Sequence, residues 1–341
     1  MYFDEVVDVA ASADGSTLGA LLGDGRVFVW DSEGTPQATL RTRGTYGGRL
    51  ALSFDGALAA VSPAEPNTWV NVEPRGGVQV WDIATRQVRR SLPMRASSLW
   101  FSPTEDSLLV NNGPPWRYEI YSAVNDDPPR ALPKGTYPAF SPDGKQIAIG
   151  MLANKIQIYD LGTLRVKREL LTDAEAKVDY GRLAWAPDGR SIAAEALEND
   201  ETEIIERWEL ATSQMQRVPL RVEGDDLAPS GSYYTLKYSP DSRRLLIGAG
   251  GPGTRVLDSK TLKPIPGADM RGLRRAAAGL RGGSFVAAEK YTVELWDVAT
   301  LTPRRRLYQG SSLPTLWPAA LGLLGWSVAF GIRLRKERGL E

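Results

Sequence analysis

The sequence predicts an all-β chain: a seven-bladed β-propeller of four-stranded antiparallel blades, followed by one C-terminal transmembrane α-helix. Three observations carry that prediction. A Ser-x-Asp-Gly-like turn recurs as SADG at Ser12, SFDG at Ser53, SPTED at Ser102, SPDG at Ser141, APDG at Ala186, SPDS at Ser239 and a degraded LRGG at Leu280. After each turn and a second strand comes a third strand ending in a bulky residue. These residues are Trp30, Trp81, Tyr121, Tyr159, Trp208, Leu257 and Trp296, at intervals of 38 to 51 residues. A repeat of about 40 to 45 residues with four short strands is the period of a propeller blade. Lastly, residues 316–332 carry no charge and are almost wholly apolar.

The stretch FSPDGKQIAIGMLANKIQIYD, Phe140 to Asp160, shows the unit at its clearest. Pro142 presets the second turn position, Asp143 can bond local amides, and Gly144 suits a positive φ that a side chain would resist. The apolar, partly alternating residues on either side fit strands buried on one or both faces. The Trp-Asp pairs at Trp30, Trp81 and Trp296, recurring in register, resemble the WD40 repeat family of seven-bladed propellers. The SPDG turns are also similar to those of TolB-type propellers. The resemblance covers roughly residues 5 to 308. WD40 repeats usually carry a histidine that joins a buried Asp, Ser/Thr and Trp network, and this chain has no histidine. Apolar packing between blades must then hold the ring.

In chain order the blades are expected at about 5–42, 46–92, 95–133, 136–171, 180–222, 233–268 and 272–308. Blade 1 should have strands near Val6 to Ala11, Thr17 to Leu22 and Arg26 to Asp31, with Gly23-Asp24-Gly25 as a hairpin turn. Its outer strand should be Gln37 to Arg41. Blade 2 carries the longest irregular insertion, Ser62 to Gly77, with Trp69. Blade 3 carries Asn111 to Arg117 at the corresponding place, with Trp116 and Arg117. In blade 5 the acidic run Glu195, Glu198, Asp200, Glu201, Glu203 and Glu206 reads as a solvated, self-repelling loop, because it lacks the spacing of a calcium loop. The glycine-rich GAGGPG at Gly248 to Gly253 lacks the Lys-Ser/Thr and the helix of a phosphate loop and reads as a hairpin. The arginines of the outer strands, Arg304 to Arg306 among them, discourage edge-to-edge pairing. In this reading blades 1 and 7 each own four strands, so ring closure should rest on side-chain packing, helped by Tyr2 and Phe3.

Composition excludes several classes of function. With no cysteine and no histidine there can be no disulfide, no Ser-His-Asp or Cys-His nucleophile, no imidazole base and no thiolate or imidazole zinc site. Catalysis would have to use Asp, Glu, Lys, Tyr or Ser, and no constellation in the sequence argues for it. No catalytic, cofactor or metal residue is therefore assigned. Charges balance at 41 against 41, which argues against a uniformly basic, nucleic-acid-binding surface.

Partner binding is the expected use of the fold. Trp69, Trp116 and Arg117 sit in loops, and aromatic and arginine side chains are the usual interface anchors. Four residues before each turn stand Asp8, Arg49, Ser98, Tyr137, Arg182, Thr235 and Ala276. The family resemblance implies that these residues ring the mouth of the central channel on the ligand face. Arg49 and Arg182 should then face each other across it, with Asp8 and Tyr137 between. The alternative use of that mouth is an enzyme site or a small-ligand or metal sensor.

The tail differs in kind. After a linker at 309–315, the 17 residues Leu316 to Ile332 would span about 26 Å as a helix, close to a hydrocarbon core of roughly 30 Å. Trp317 stands at one boundary, Trp326 lies within the stretch, and Arg333, Arg335, Lys336 and Arg338 follow in a basic tail at 333–341. The reading is a single-pass membrane anchor and a partner that is itself at the membrane. No signal peptide precedes blade 1, which favours a cytoplasmic propeller, although the basic residues flanking the anchor barely discriminate between sides.

Overall fold

The structure, a computed structural model, describes residues 4–42, 48–62, 77–111, 117–151, 154–172, 177–199, 202–220, 233–249, 253–266, 270–271, 275–277, 279 and 281–310. Among these residues the chain forms seven antiparallel sheets of four strands, each sheet drawn from one contiguous stretch. Blade 1 has its strands at Val6–Ala11, Thr17–Leu22, Arg26–Asp31 and Pro36–Arg41. The first strands of the other six blades are Arg49–Leu52, Ser98–Phe101, Thr136–Phe140, Val178–Trp185, Tyr233–Tyr238 and Arg275–Ala277. The last strand of the ring is Pro303–Gln309. No helix among the described residues is long and apolar enough to cross a membrane. The expected anchor lies outside those residues, as do Tyr2 and Phe3.

In four blades the first turn is locked by its serine, a role that the motif's proline, aspartate and glycine do not reveal. Ser12, Ser53, Ser141 and Ser239 are almost fully buried. Each hydroxyl donates to the aspartate two residues on, and accepts the N–H five residues on, where the second strand begins. The glycines serve a second purpose beyond their positive φ. A Cβ at Gly56 would collide with Thr17 of blade 1, and one at Gly144 with Thr104 of blade 3. Neighbouring turns can therefore touch only where that side chain is missing.

The aspartate that follows the bulky end of the third strand also has a local duty. Asp82, Asp160 and Asp258 each accept both the N–H and the hydroxyl of a threonine three residues on. That closes the turn into the fourth strand, where Arg86, Leu164, Leu262 and Leu301 take positive φ values between 53° and 59°. In blade 7 the Thr300 N–H and then the Arg304 guanidinium pull the Asp297 carboxyl down to about 2. Arg304 thus acts first as a turn clamp, not only as an edge charge.

The core is not one mass. Buried apolar side chains fall into seven clusters, and each cluster lies between two neighbouring blades. Side-chain alternation makes this possible: in the second strand of blade 1, Leu18 and Ala20 pack toward blade 7 and Leu21 toward blade 2. The seam between blades 7 and 1 uses the same device, with Val6, Val9, Leu18 and Trp30 against Ala277, Val286 and Val293. The Val6 N–H adds one bond, 2.8 Å to the Lys290 carbonyl. Asp4 accepts from Arg26 at 2.6 Å and from the Tyr308 hydroxyl at 3.1 Å. Among the described residues closure therefore rests on packing and a few polar clasps, and each blade's sheet is drawn from its own stretch.

The acidic run of blade 5 corrects the sequence reading. Glu206 is not solvated; it is fully buried, holding Arg217 at 2.9 Å, the Thr172 hydroxyl at 2.8 Å and the Tyr180 hydroxyl at 3.0 Å. Arg217 also reaches Glu198 at 2.8 Å, and Glu195 pairs with Arg182 at 3.4 Å. Strand alternation puts Glu206 on the same face as Ile204 and Trp208, toward blade 4. Burial and then the Glu206 charge push the Tyr180 phenol well above its ordinary range. Three buried indole N–H groups, of Trp81, Trp208 and Trp296, meet no protein acceptor among the described residues. Removing Arg217 would leave Glu206 as an uncompensated buried charge, which typically costs about 3 kcal/mol or more. We expect Arg217→Ala to lower the urea midpoint accordingly, and the double variant Glu206→Leu/Arg217→Leu to lose much less.

Candidate functional site

The first strands surround a central channel of about 330 Å³. Its mouth lies at the end where those strands begin. There Ser62 pairs with Arg49, and Asn111 with both Ser98 and Tyr118. The loops carrying Trp69 and Trp116 leave from these strand ends, but both tryptophans lie outside the described residues. Arg117 is exposed at the start of the third strand of blade 3.

Backbone irregularity aims the mouth residues. Four first strands break register with their neighbours at this level: between Val6 and Asp8, Thr136 and Ala139, Tyr180 and Leu183, and Tyr233 and Thr235. Bulges of this kind re-aim a side chain. They bring Asp8, Tyr137, Arg182 and Thr235 to the channel, where Arg49, Ser98 and Ala276 also arrive. Tyr137 has φ 31°, a strained value for a bulky residue. It is held from two sides: its N–H donates to the Tyr118 hydroxyl at 2.9 Å, and the Arg182 guanidinium sits 5.3 Å above its ring. Burial raises the Tyr118 phenol to about 12, so it stays protonated and can hold its place.

Most of these groups turn out to clasp neighbouring blades. The Asp8 carboxylate of blade 1 accepts the Leu50 N–H of blade 2 at 3.0 Å and stands 3.5 Å from Arg275 of blade 7. Arg49 of blade 2 donates to the Ser97 carbonyl, in the run leading into blade 3, at 2.9 Å and to its neighbour Gly48 at 3.1 Å. Thr136 of blade 4 donates to the Tyr180 carbonyl of blade 5 at 2.9 Å, and Thr235 of blade 6 accepts the Ala276 N–H of blade 7 at 3.3 Å. Arg182 is paired within its own blade to Glu195, whose carboxyl is pushed up by burial and pulled down by that same arginine. The ring of charges expected from the sequence is present at the channel, but its members are already engaged.

Sequence reasoning missed two cations. Arg275 and Lys237 both line the channel. Lys237 lies two residues beyond Thr235 and so on the same face of its strand, deeper in the lumen. Its signal was legible as a single lysine between Leu236 and Tyr238 in an inner strand. Among the described residues no cluster of three or more carboxylates that could hold a metal ion occurs.

Together the sheets and the channel define a seven-bladed β-propeller of four-stranded antiparallel blades. No family model and no curated protein matches this chain. Among solved structures it is similar to the β-propeller domain of Cps50 (Swd1) from Myceliophteria thermophila, with a TM-score of 0.61, 14% identity, and coverage of 87% of this chain and 97% of that one. The likeness extends to the fold. If Asp8 acts as a clasp, Asp8→Ala strands the Leu50 N–H and the Arg275 guanidinium. We expect a loss of about 2 kcal/mol in chemical denaturation, against less than about 0.5 kcal/mol for exposed Arg117→Ala.

Proposed function

We propose that this chain is a membrane-tethered, non-catalytic propeller that binds a protein or peptide partner through its mouth face. The observation that carries the reading is where the last strand of the ring ends. Gln309 pairs with Thr292, and the Gly310 N–H donates 2.7 Å to the Tyr291 carbonyl, at the mouth rim beside Asp4. The apolar stretch 316–332 follows within a few residues, and the chain from Gly310 to Leu316 reaches at most about 22 Å. A bilayer entered by that stretch would lie close to the mouth. The partner is then one that is itself at the membrane, met by the loops of Trp69 and Trp116, by Arg117, and by Arg49, Tyr137, Arg182 and Asp8 around the channel.

Propeller chemistry without histidine or cysteine would need carboxylates gathered at the channel, and among the described residues Asp8 is the one carboxylate that lines it. That supports a scaffold over an enzyme. A second reading, a small-ligand sensor that uses the channel, draws support from its cationic lining.

Two measurements test the proposal. In alkaline carbonate the full-length protein should stay with the membrane pellet, whereas Leu321→Arg combined with Leu324→Arg should release it; extraction of the unmodified chain would refute the tether. Crosslinking in intact membranes should capture a membrane-resident protein, and Trp69→Ala with Trp116→Ala should cut its recovery at least fivefold. Unchanged recovery would remove the loop face from the account.

A further inference from the structure

The central channel concentrates positive charge. Among the described residues four cations line it, Arg49, Arg182, Lys237 and Arg275, against one carboxylate, that of Asp8. The chain as a whole is balanced, 41 against 41, so this excess is local. Three of the four have fixed engagements: Arg49 with backbone carbonyls, Arg182 with Glu195 and Tyr137, and Arg275 with Asp8. Lys237 makes no hydrogen bond or ion pair among the described residues.

The position of that ammonium is costly. Its side chain is exposed to the lumen that the first strands surround, and desolvation there pushes its pKa below the ordinary lysine value. Asp8 acts to raise that pKa, and Arg182 acts to lower it. A cleft lined by one sign of charge between low-dielectric walls focuses its field and concentrates counter-ions. Methylene-rich lysine usually escapes such confinement by reaching bulk water, and here the lumen holds it.

We propose that the channel binds a compact polyvalent oxyanion, of the size of a tricarboxylate or a pyrophosphate, with Lys237 as the principal contact and the guanidiniums of Arg275 and Arg182 as supporting charge. The cavity of about 330 Å³ suits such a ligand and lies at the small end of ligand pockets. Thr235 is at the mouth, and Lys237 stands about 7 Å further along the strand. The anionic group must therefore enter the lumen, as a free small anion does most easily. An acidic side chain presented by a partner carries the same chemistry and is the other source. The inference stands whether or not the loop face also takes a protein.

The test is calorimetric titration of full-length protein in non-ionic detergent with citrate and with pyrophosphate, at an ionic strength held constant with sodium chloride. Saturable one-site binding is expected for at least one anion. Lys237→Met should weaken it at least tenfold and Lys237→Glu should abolish it, while Lys237→Arg keeps most of it and Lys260→Ala, on an exposed turn, leaves it unchanged. Should a variant fail to fold, the unmodified protein decides alone: its melting temperature should rise with citrate or pyrophosphate and not with chloride of equal ionic strength. A hexaglutamate peptide titrated in parallel separates the sources, since competition with the small anion assigns the site to acidic side chains and its absence to a free anion. No saturable binding of either probe, or equal affinity in folded Lys237→Met, would overturn the proposal.

Discussion

Seven apolar contacts, each shared between two blades, hold this molecule together. No blade has a core of its own: a four-stranded sheet buried on both sides needs a neighbour on each side, and the ring supplies it. That constraint explains the strand composition. Second strands such as TLGALL and LAAVS are apolar at nearly every position because both faces are covered, where a one-sided sheet would alternate. It also explains the glycines at the turns, which let adjacent blades approach. The seam between blades 7 and 1 must meet the same demand without help from a shared sheet, and it does so with an apolar cluster of the same kind, one backbone bond and the Asp4 and Asp8 clasps.

What could be read from the sequence was local, and what could not was distant. The turns at Ser12, Ser53, Ser141 and Ser239 and the aromatic ends of the third strands are written at fixed short spacings, so the number of blades and their order were legible. The family resemblance, applied at the fixed offset of four residues before each turn, implied that Asp8, Arg49, Tyr137 and Arg182 stand at the channel, and they line it. Their commitments were not legible, because Asp8 bonds to residues 42 and 267 positions away along the chain. Glu206 was misread for a related reason. Its run looks solvated when counted by composition, whereas alternation along the strand and a basic partner in the next strand, Arg217, bury it. Lys237 stood in plain view inside an apolar strand and would have been found by asking what a lone charge does there.

The two ends of each blade divide the labour. At one end, serine and aspartate close tight turns, and neighbouring turns pack against each other. At the other, bulged first strands aim polar groups at a channel, and the longest loops and the last strand emerge. Rigidity at the turn end leaves the mouth end able to vary. The Tyr137 strain and the positive lining belong to that variable end, which is where a propeller carries function on a fixed frame.

Hydrogen exchange at the seam tests the central claim most directly. If packing and clasps close the ring as firmly as at any other interface, peptides spanning Val6–Ala11 and Ser284–Ala288 should exchange as slowly as the interior strands Ser107–Asn111 and Ser191–Glu198. Seam peptides that exchange orders of magnitude faster, while those interior strands stay protected, would show a ring that opens between its first and last blades and would contradict the account.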